Sequence, residues 1–181
     1  MSAKGLIKGG PLLPRGRGGI LLIQLGDIGD VVLSLPTIRA LHGVFPETPL
    51  MVCVRSQARE LVQDCPGVDC VLPVDNRQRS PAGWVSCQKS FLKRLRGHRS
   101  YLSIDLRTGT RGAIVSLISG AGCRIGRFAQ DGTLWRNRIF THLVRPEGES
   151  GQYAAEHNLN IIAPFGIPIR ERTPRIVLSP A

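Results

Sequence analysis

The stretch ILLIQLGDIGD, residues 20–30, changes character halfway along. It starts with the aliphatic run Ile20-Leu21-Leu22-Ile23, which is typical of a strand that is buried on both faces of a sheet. Residues 26–30 then place two glycines and two carboxylates directly before a helical pattern. A glycine loop that leads into a helix N-terminus usually holds an anion. The carboxylate of Asp30 therefore has two interpretations, a helix N-cap and a catalytic base.

Apolar runs alternate with helical patterns along the rest of the chain. This alternation is typical of βαβ units, and it predicts an α/β fold with a doubly wound parallel sheet that carries helices on both faces. Pro36 falls inside the first helical pattern and should kink that helix or mark its late start. The predicted strands are residues 20–25, 50–54, 70–74, 102–106 and 124–128, the predicted helices are 30–45, 57–64, 83–96, 111–119 and 153–165, and 174–178 is extended.

Ligands of open parallel sheets bind beyond the carboxyl ends of the strands. Asp30 follows the first predicted strand and Asp105 lies in the fourth, so we expect both at this edge. The loop has neither the G-x-G-x-x-G spacing of dinucleotide-binding proteins nor the Gly-Lys-Ser/Thr of a P-loop. Taken alone, it is explained by Asp30 as a helix cap, which contributes about 1 kcal/mol. Asp27 is interpreted as a solvated loop carboxylate.

The charge of this 181-residue chain is strongly basic, with a formal net charge of +11. No acidic residue lies between Asp75 and Asp105, and Asp131 is the only one between Arg107 and Arg145. Such blocks attract anionic partners, namely nucleic acid, acidic lipid or a phosphorylated substrate. A nucleic-acid-binding module is one alternative, but the chain has only nine aromatic residues and no recognised nucleic-acid motif.

Residues 1–18 are rich in glycine and proline and carry four basic residues and no acid. We expect them to form a disordered basic extension, and their interrupted apolar runs argue against a signal peptide. The five cysteines lack C-x-x-C spacing, so neither a disulfide framework nor a metal site is expected. A cytoplasmic, reducing setting fits best.

Several motifs occur in the order found in one enzyme family. The first block is a strand, a loop ending in Gly29-Asp30, and a helix with an internal proline, Arg39-Ala40-Leu41 and a terminal Phe45-Pro46. Residues 19–180 thereby resemble the glycosyltransferases of family nine, the ADP-heptose:lipopolysaccharide heptosyltransferases. Further matches are Val71-Leu72-Pro73-Val74, Asp105-Leu106-Arg107 with Arg111, Ser119-Gly120-Ala121, Arg124-Ile125-Gly126 and Gln152-Tyr153-Ala154-Ala155-Glu156.

This resemblance implies a GT-B fold, in which two Rossmann-like domains face a cleft. Residues 19–181 would be the N-terminal, acceptor-side domain, and the C-terminal donor domain is absent from the sequence. The implied reaction is the inverting transfer of heptose from ADP-heptose to the lipopolysaccharide inner core, with no metal or cofactor. The implied partners are the nucleotide-sugar donor and the anionic Kdo–lipid A acceptor. A non-catalytic acceptor-binding remnant is a further alternative.

The resemblance also assigns roles to individual residues. Asp30 becomes the general base for the acceptor hydroxyl, and Gly29 lets the backbone approach the donor diphosphate. Arg77 lies where these enzymes direct a basic residue towards the anionic acceptor. Arg107 and Arg111 suit phosphate or carboxylate, although they are equally interpreted as surface arginines that touch no ligand.

Two features keep alternatives open. Asp105 either contacts substrate or bonds loop amides at the end of its strand. Residues 83–96 combine apolar side chains on one side with Lys89, Lys93 and Arg96 beside them. This pattern fits a helix lying on the cytoplasmic face of the inner membrane, and it fits equally a helix that packs on the sheet.

Overall fold

The computed structural model describes residues 5–13, 16–74, 81–131 and 135–176, with residues 81–87 described by their backbone alone. Within these ranges seven strands form one sheet in the order β1-β7-β6-β5-β2-β3-β4. Strands β2 to β7 are parallel, and β1 pairs antiparallel with β7. The strands are β1 Leu6–Lys8, β2 Ile20–Gln24, β3 Leu50–Arg55, β4 Cys70–Val74, β5 Leu102–Asp105, β6 Cys123–Arg127 and β7 His142–Val144.

Helices connect the parallel strands and cover both faces of the sheet. Short 3₁₀ turns at Ser56–Ala58 and Ala163–Phe165 adjoin two of them. The α-helices are α1 Ile28–Val32, α2 Leu35–Val44, α3 Arg59–Gln63, α4 Pro81–Gly97, α5 Thr110–Ile118, α6 Arg136–Ile139 and α7 Ala154–Ile162. The predicted α/β fold with a doubly wound parallel sheet is confirmed.

The strand order reverses between β2 and β5. The chain builds outward from β2 through β3 to β4, then returns to place β5 on the other side of β2. The loops that leave the carboxyl ends of β2 and β5 consequently diverge to opposite sides, and a crevice opens between them. This crevice is where a doubly wound sheet binds its ligands.

Strand β2 is buried on both faces, as its aliphatic run predicted. Ile20 and Leu22 join the core on the side of α2 and α7, and Leu21 and Ile23 join the core on the side of α4 and α5. All four side chains are almost completely buried. Each contributes about 1.5–3 kcal/mol to the transfer free energy of folding, so β2 is firmly fixed in the sheet.

The first predicted helix is divided. Helix α1 ends at Val32 and α2 begins at Leu35, with Pro36 in the first turn of α2, where a missing backbone N–H breaks no intrahelical bond. Pro36 therefore marks a late start, one of its two expected effects. Asp27 occupies the N-cap position of α1 and Asp30 the third helical position, so the interpretation of Asp30 as the N-cap residue is wrong.

The amino-terminal segment differs from the expected disorder. Leu6–Lys8 forms β1 against β7, and the Lys8 ammonium donates to the Phe140 carbonyl at 2.6 Å. Strands β1 and β7 were not predicted because three residues are too few to show a period of two. Residues 177 and 178 of the predicted extended exit segment lie outside the described residues.

Helix α4 packs on the sheet. Leu95 is buried and Phe91 half-buried against the core beside β2, while Lys89, Lys93 and Arg96 are exposed. This is the second of the two interpretations of residues 83–96, and it leaves the basic side chains on the surface. In the described part of the chain no helix is both long and apolar enough to cross a bilayer.

A buried ion pair lies beneath the carboxyl edge of the sheet. Arg136 Nη2 of α6 lies 3.3 Å from Asp105 Oδ2 at the end of β5, and both side chains are buried. Burial raises the pKa of Asp105 to about 7, against the opposing charge and hydrogen bond of Arg136 and the backbone N–H of Arg107. Gly112 of α5 makes room for this carboxylate, which lies 2.5 Å from where a Cβ of residue 112 would stand.

The raised pKa of Asp105 predicts a pH-dependent stability. From about pH 4 to about pH 7 the folded protein holds this proton while the unfolded chain releases it, so the free energy of unfolding falls as pH rises. Asp105→Asn removes the titration. We expect urea unfolding at pH 4.5 and 7.5 to show parent stability falling relative to the variant as pH rises. Parallel pH profiles would contradict the buried titration.

Candidate functional site

The loop after β2 is held by the last residue of that strand. Gln24 is 1% exposed, and its Oε1 accepts from the Gly26 backbone N–H at 3.2 Å. Its Nε2 donates to the Asp30 carbonyl at 3.4 Å. One buried amide therefore ties the turn to the helix that follows it, which fixes where Asp30 stands relative to the end of β2.

The Asp30 carboxylate is anchored through one of its two oxygens. Oδ2 accepts from the Asp27 backbone N–H at 3.0 Å and forms an ion pair with Arg107 Nη1. Oδ1 has no hydrogen-bond partner among the residues that the structure describes. The side chain is 36% exposed, so this second oxygen can accept a proton from a ligand at the edge of the sheet.

Gly26 is the glycine that this arrangement requires. A Cβ at Gly26 would collide with the Asp30 carboxylate and stand 2.7 Å from Arg107 Nη1. At Gly29 a Cβ would meet nothing within 4 Å, and the residue is exposed. An approach of ligand to the backbone at Gly29 is therefore sterically open. Both glycines were visible in the sequence, but only the contacts distinguish them.

Arg107 reaches Asp30 across the point where the strand order reverses. Its side chain is 46% exposed, and its backbone is held from below. The N–H donates to Asp105 Oδ1 at 3.2 Å, and the carbonyl accepts from Arg136 Nη2 at 2.6 Å. Asp105 thus bonds a loop amide, as in the structural alternative that the sequence left open.

Arg136 organises this edge of the sheet and was missed by sequence reasoning. It also donates through Nη1 to the Arg127 carbonyl at 2.8 Å and through Nε to the Gly109 carbonyl at 3.4 Å. Its guanidinium carbon lies 4.9 Å from the centre of the Phe140 ring. No local pattern marks this residue, because it is one arginine in a block of seven, from Arg107 to Arg145.

The other predicted residues lie in different settings. Arg111 is exposed in the first turn of α5, and no described residue pairs with it. Arg77 lies outside the described residues. Asp27 forms an exposed ion pair with Arg55 at 2.7 Å, so it is solvated, as expected, but not unpaired.

Two cavities adjoin these elements. The larger, about 370 Å³, opens at the carboxyl edge of the sheet between the loops after β5 and β6. The smaller, about 200 Å³, lies between α2 and residues 168–171, where Arg39 is already engaged by Glu171 at 3.3 Å. Across the described ranges no group of three His, Cys, Asp or Glu residues is arranged to hold a metal ion.

One curated relative has a similar sequence. No protein-family model matches the chain. Lipopolysaccharide heptosyltransferase 3 of Escherichia coli is 23% identical over 141 residues, covering 77% of this chain and 40% of the relative. The chain therefore spans less than half the length of this relative.

Solved structures share the fold. A glycosyl transferase family 9 structure from Veillonella parvula has a TM-score of 0.72 at 16% identity, covering 88% of this chain and 44% of that one. Escherichia coli ADP-heptose LPS heptosyltransferase II has a TM-score of 0.66 at 19% identity, covering 89% and 47%. The E. coli heptosyltransferase WaaC with ADP-2-deoxy-2-fluoro heptose has a TM-score of 0.67 at 17% identity, covering 86% and 50%. The resemblance to glycosyltransferase family nine is confirmed, and the fold is the one these transferases have over about half of their length.

Proposed function

We propose that residues 19–181 form the acceptor-side domain of an inverting transferase that moves heptose from ADP-heptose to the lipopolysaccharide inner core. The observation that carries the proposal is the Asp30 carboxylate, which is anchored through Oδ2 and open at Oδ1 where the strand order reverses. The matched glycosyltransferases supply the reaction class.

Asp30 acts as the general base. The acceptor hydroxyl donates its proton to Oδ1, and its oxygen forms a bond to the anomeric carbon of the heptose. The bond from that carbon to the diphosphate breaks on the opposite face, and ADP leaves with the electron pair. Such a base must lie within about 2.6–3.2 Å of the hydroxyl oxygen. The two contacts at Oδ2 keep the carboxylate in one orientation.

Arg107 has a double role in this proposal. Its ion pair with Asp30 is about half exposed, so it adds little to stability, on the order of 0–1 kcal/mol. Its effect is on the direction of the carboxylate. With Arg111 it also places positive charge at the mouth of the crevice, which favours a phosphorylated or carboxylated acceptor.

The donor requires a second wall. In the proposed arrangement a C-terminal domain, beyond these 181 residues, holds the nucleotide and closes over the crevice. Bringing the two substrates together in this way supplies about 7–11 kcal/mol of the barrier lowering. The exposed basic residues of α4, namely Lys89, Lys93, Arg94 and Arg96, would face the anionic inner leaflet on the cytoplasmic side.

Replacing the base tests the mechanism. We expect Asp30→Asn, made in the complete two-domain transferase, to lower kcat by about 10²- to 10⁴-fold, because Asn cannot take the proton. Acceptor affinity should remain similar. The matched control is Asp64→Asn, which alters an exposed carboxylate beyond α3 and should retain the parent rate. A normal turnover in Asp30→Asn would show that the carboxylate is only a structural element of α1.

The acceptor side is tested in the 181-residue chain alone. We expect it to bind a deacylated, phosphorylated core oligosaccharide and to release no ADP from ADP-heptose. Binding should weaken as salt rises, because exposed charges are screened over about 8 Å at physiological ionic strength. Arg111→Gln should weaken it by about tenfold or more, because one hydrogen bond to a charged group contributes about 1.5–3 kcal/mol.

The control for this measurement is Arg99→Gln, an exposed arginine between the end of α4 and the start of β5, at the amino edge of the sheet. Isothermal titration at 50 and 300 mM salt gives both affinities, and ADP release is followed in parallel. Sustained ADP release would overturn the division of substrates between two domains. Equal loss in both arginine variants would reduce the acceptor site to a diffuse effect of net charge.

A further inference from the structure

We propose that the cavity between the loops after β5 and β6 is a binding site for a neutral sugar ring. This inference rests on the proposed function and specifies which part of the acceptor the edge of the sheet holds. The cavity measures about 370 Å³, within the range of small-molecule pockets. It is lined by Thr108, Thr110, Phe128, Ala129, Gln130, Asp131 and Arg136.

The polar groups that line the cavity are a mixture of donors and acceptors. Thr108 and Thr110 supply hydroxyls, Gln130 an amide and Asp131 a carboxylate, and no described residue bonds any of these side chains. The ring of Phe128 provides an apolar wall, with the Arg145 guanidinium 5.4 Å from its centre. Vicinal hydroxyls on an otherwise apolar ring need this combination of alternating partners beside an apolar surface.

The cavity has little to offer a phosphate. Arg136, the guanidinium in the described lining, has five N–H donors, and each of them is already directed at an acceptor within the protein. The Arg145 guanidinium lies against the Phe128 ring, outside this lining. The exposed carboxylate of Asp131 would repel an anion. The five acceptors of Arg136 are the carbonyls of Arg107, Gly109 and Arg127, Asp105 Oδ2 and Asn137 Oδ1.

The position of the cavity agrees with an acceptor sugar. Strand β5 lies next to β2, and β6 lies next to β5. Neighbouring strands are about 4.8 Å apart, so the gap between β5 and β6, whose loops line the cavity, lies about 7 Å sideways from β2, or one and a half strand spacings. That is about the width of one sugar ring. A ring in the cavity can therefore present a hydroxyl, or the next ring of a chain, towards Asp30.

The anionic and the neutral parts of the acceptor would therefore bind at different places on the edge of the sheet. Arg111 lies in the first turn of α5, next to Thr110 but outside the lining of the cavity. It is exposed and available to a phosphate or carboxylate of the same ligand. The cavity contributes specificity for the ring, and the arginines contribute attraction to the charge.

The test uses the ¹⁵N-labelled 181-residue chain and two probes, a neutral methyl heptoside and inorganic phosphate. We expect the heptoside to shift the backbone amide resonances of residues 108–110 and 128–131 saturably. Asp131→Ala should weaken this binding about tenfold, the loss of one hydrogen bond to a charged group. Thr108→Val should weaken it about 3- to 5-fold, the loss of one neutral hydrogen bond. Arg111→Gln should leave it unchanged.

Each other outcome overturns the inference. Phosphate that shifts the same resonances, and binds more tightly to Asp131→Ala, would make the cavity an anion site. If the heptoside shifts none of these resonances, the cavity does not bind a neutral sugar ring. If the phosphorylated core oligosaccharide still binds in a salt-dependent way, only this inference fails; if neither ligand binds, the acceptor-side function fails with it.

Discussion

The buried guanidinium of Arg136 is the interaction on which the carboxyl edge of the sheet depends. Removing a charge from water costs several kcal/mol unless its donors are satisfied. Here all five N–H groups of the guanidinium find acceptors, and three of these are backbone carbonyls, two in the loop after β5 and one at the last residue of β6. The cost of burial is offset only if this loop and the end of β6 keep their conformation. The position of the guanidinium and the conformation of the backbone around it therefore depend on each other.

This arrangement fixes the backbone at Arg107 and leaves its side chain at the surface, where it contacts Asp30. The Arg107 carbonyl points inward to Arg136, while the guanidinium reaches Asp30 on the neighbouring strand loop. A rigid backbone below and a half-exposed ion pair above give the carboxylate a defined orientation without burying it. If the Asp30 carboxylate were buried, the acceptor hydroxyl of the substrate could not reach it. The raised pKa of Asp105 directly below shows how strongly burial acts on a carboxyl group at this edge.

The basic character of the chain is divided between structure and surface. Arg136 is buried, Arg127 is half-buried and pairs with Glu149, and Arg39 holds Glu171 against α2. The guanidinium groups of these arginines are already bonded to carboxylates and carbonyls within the protein. Arg111 and the basic residues of α4 stay exposed. A net charge of +11 thus overstates the charge that is free to meet an anionic partner.

The sequence alone determined the fold class, the parallel strands β2 to β6 and the position of Asp30 at the end of the first parallel strand, because these follow from local periodicity and strand–loop–helix order. It could not show that Gly26, Arg107 and Arg136 meet around Asp30 and Asp105. Arg107 and Asp30 are 77 residues apart along the chain, and Arg136 and Asp105 are 31 residues apart. Their contact depends on β5 returning beside β2, and no local pattern encodes which arginine of a basic block is carried inward. Tertiary structure decided that choice, since among the described residues Arg136 is the arginine of this block whose five N–H groups all reach acceptors.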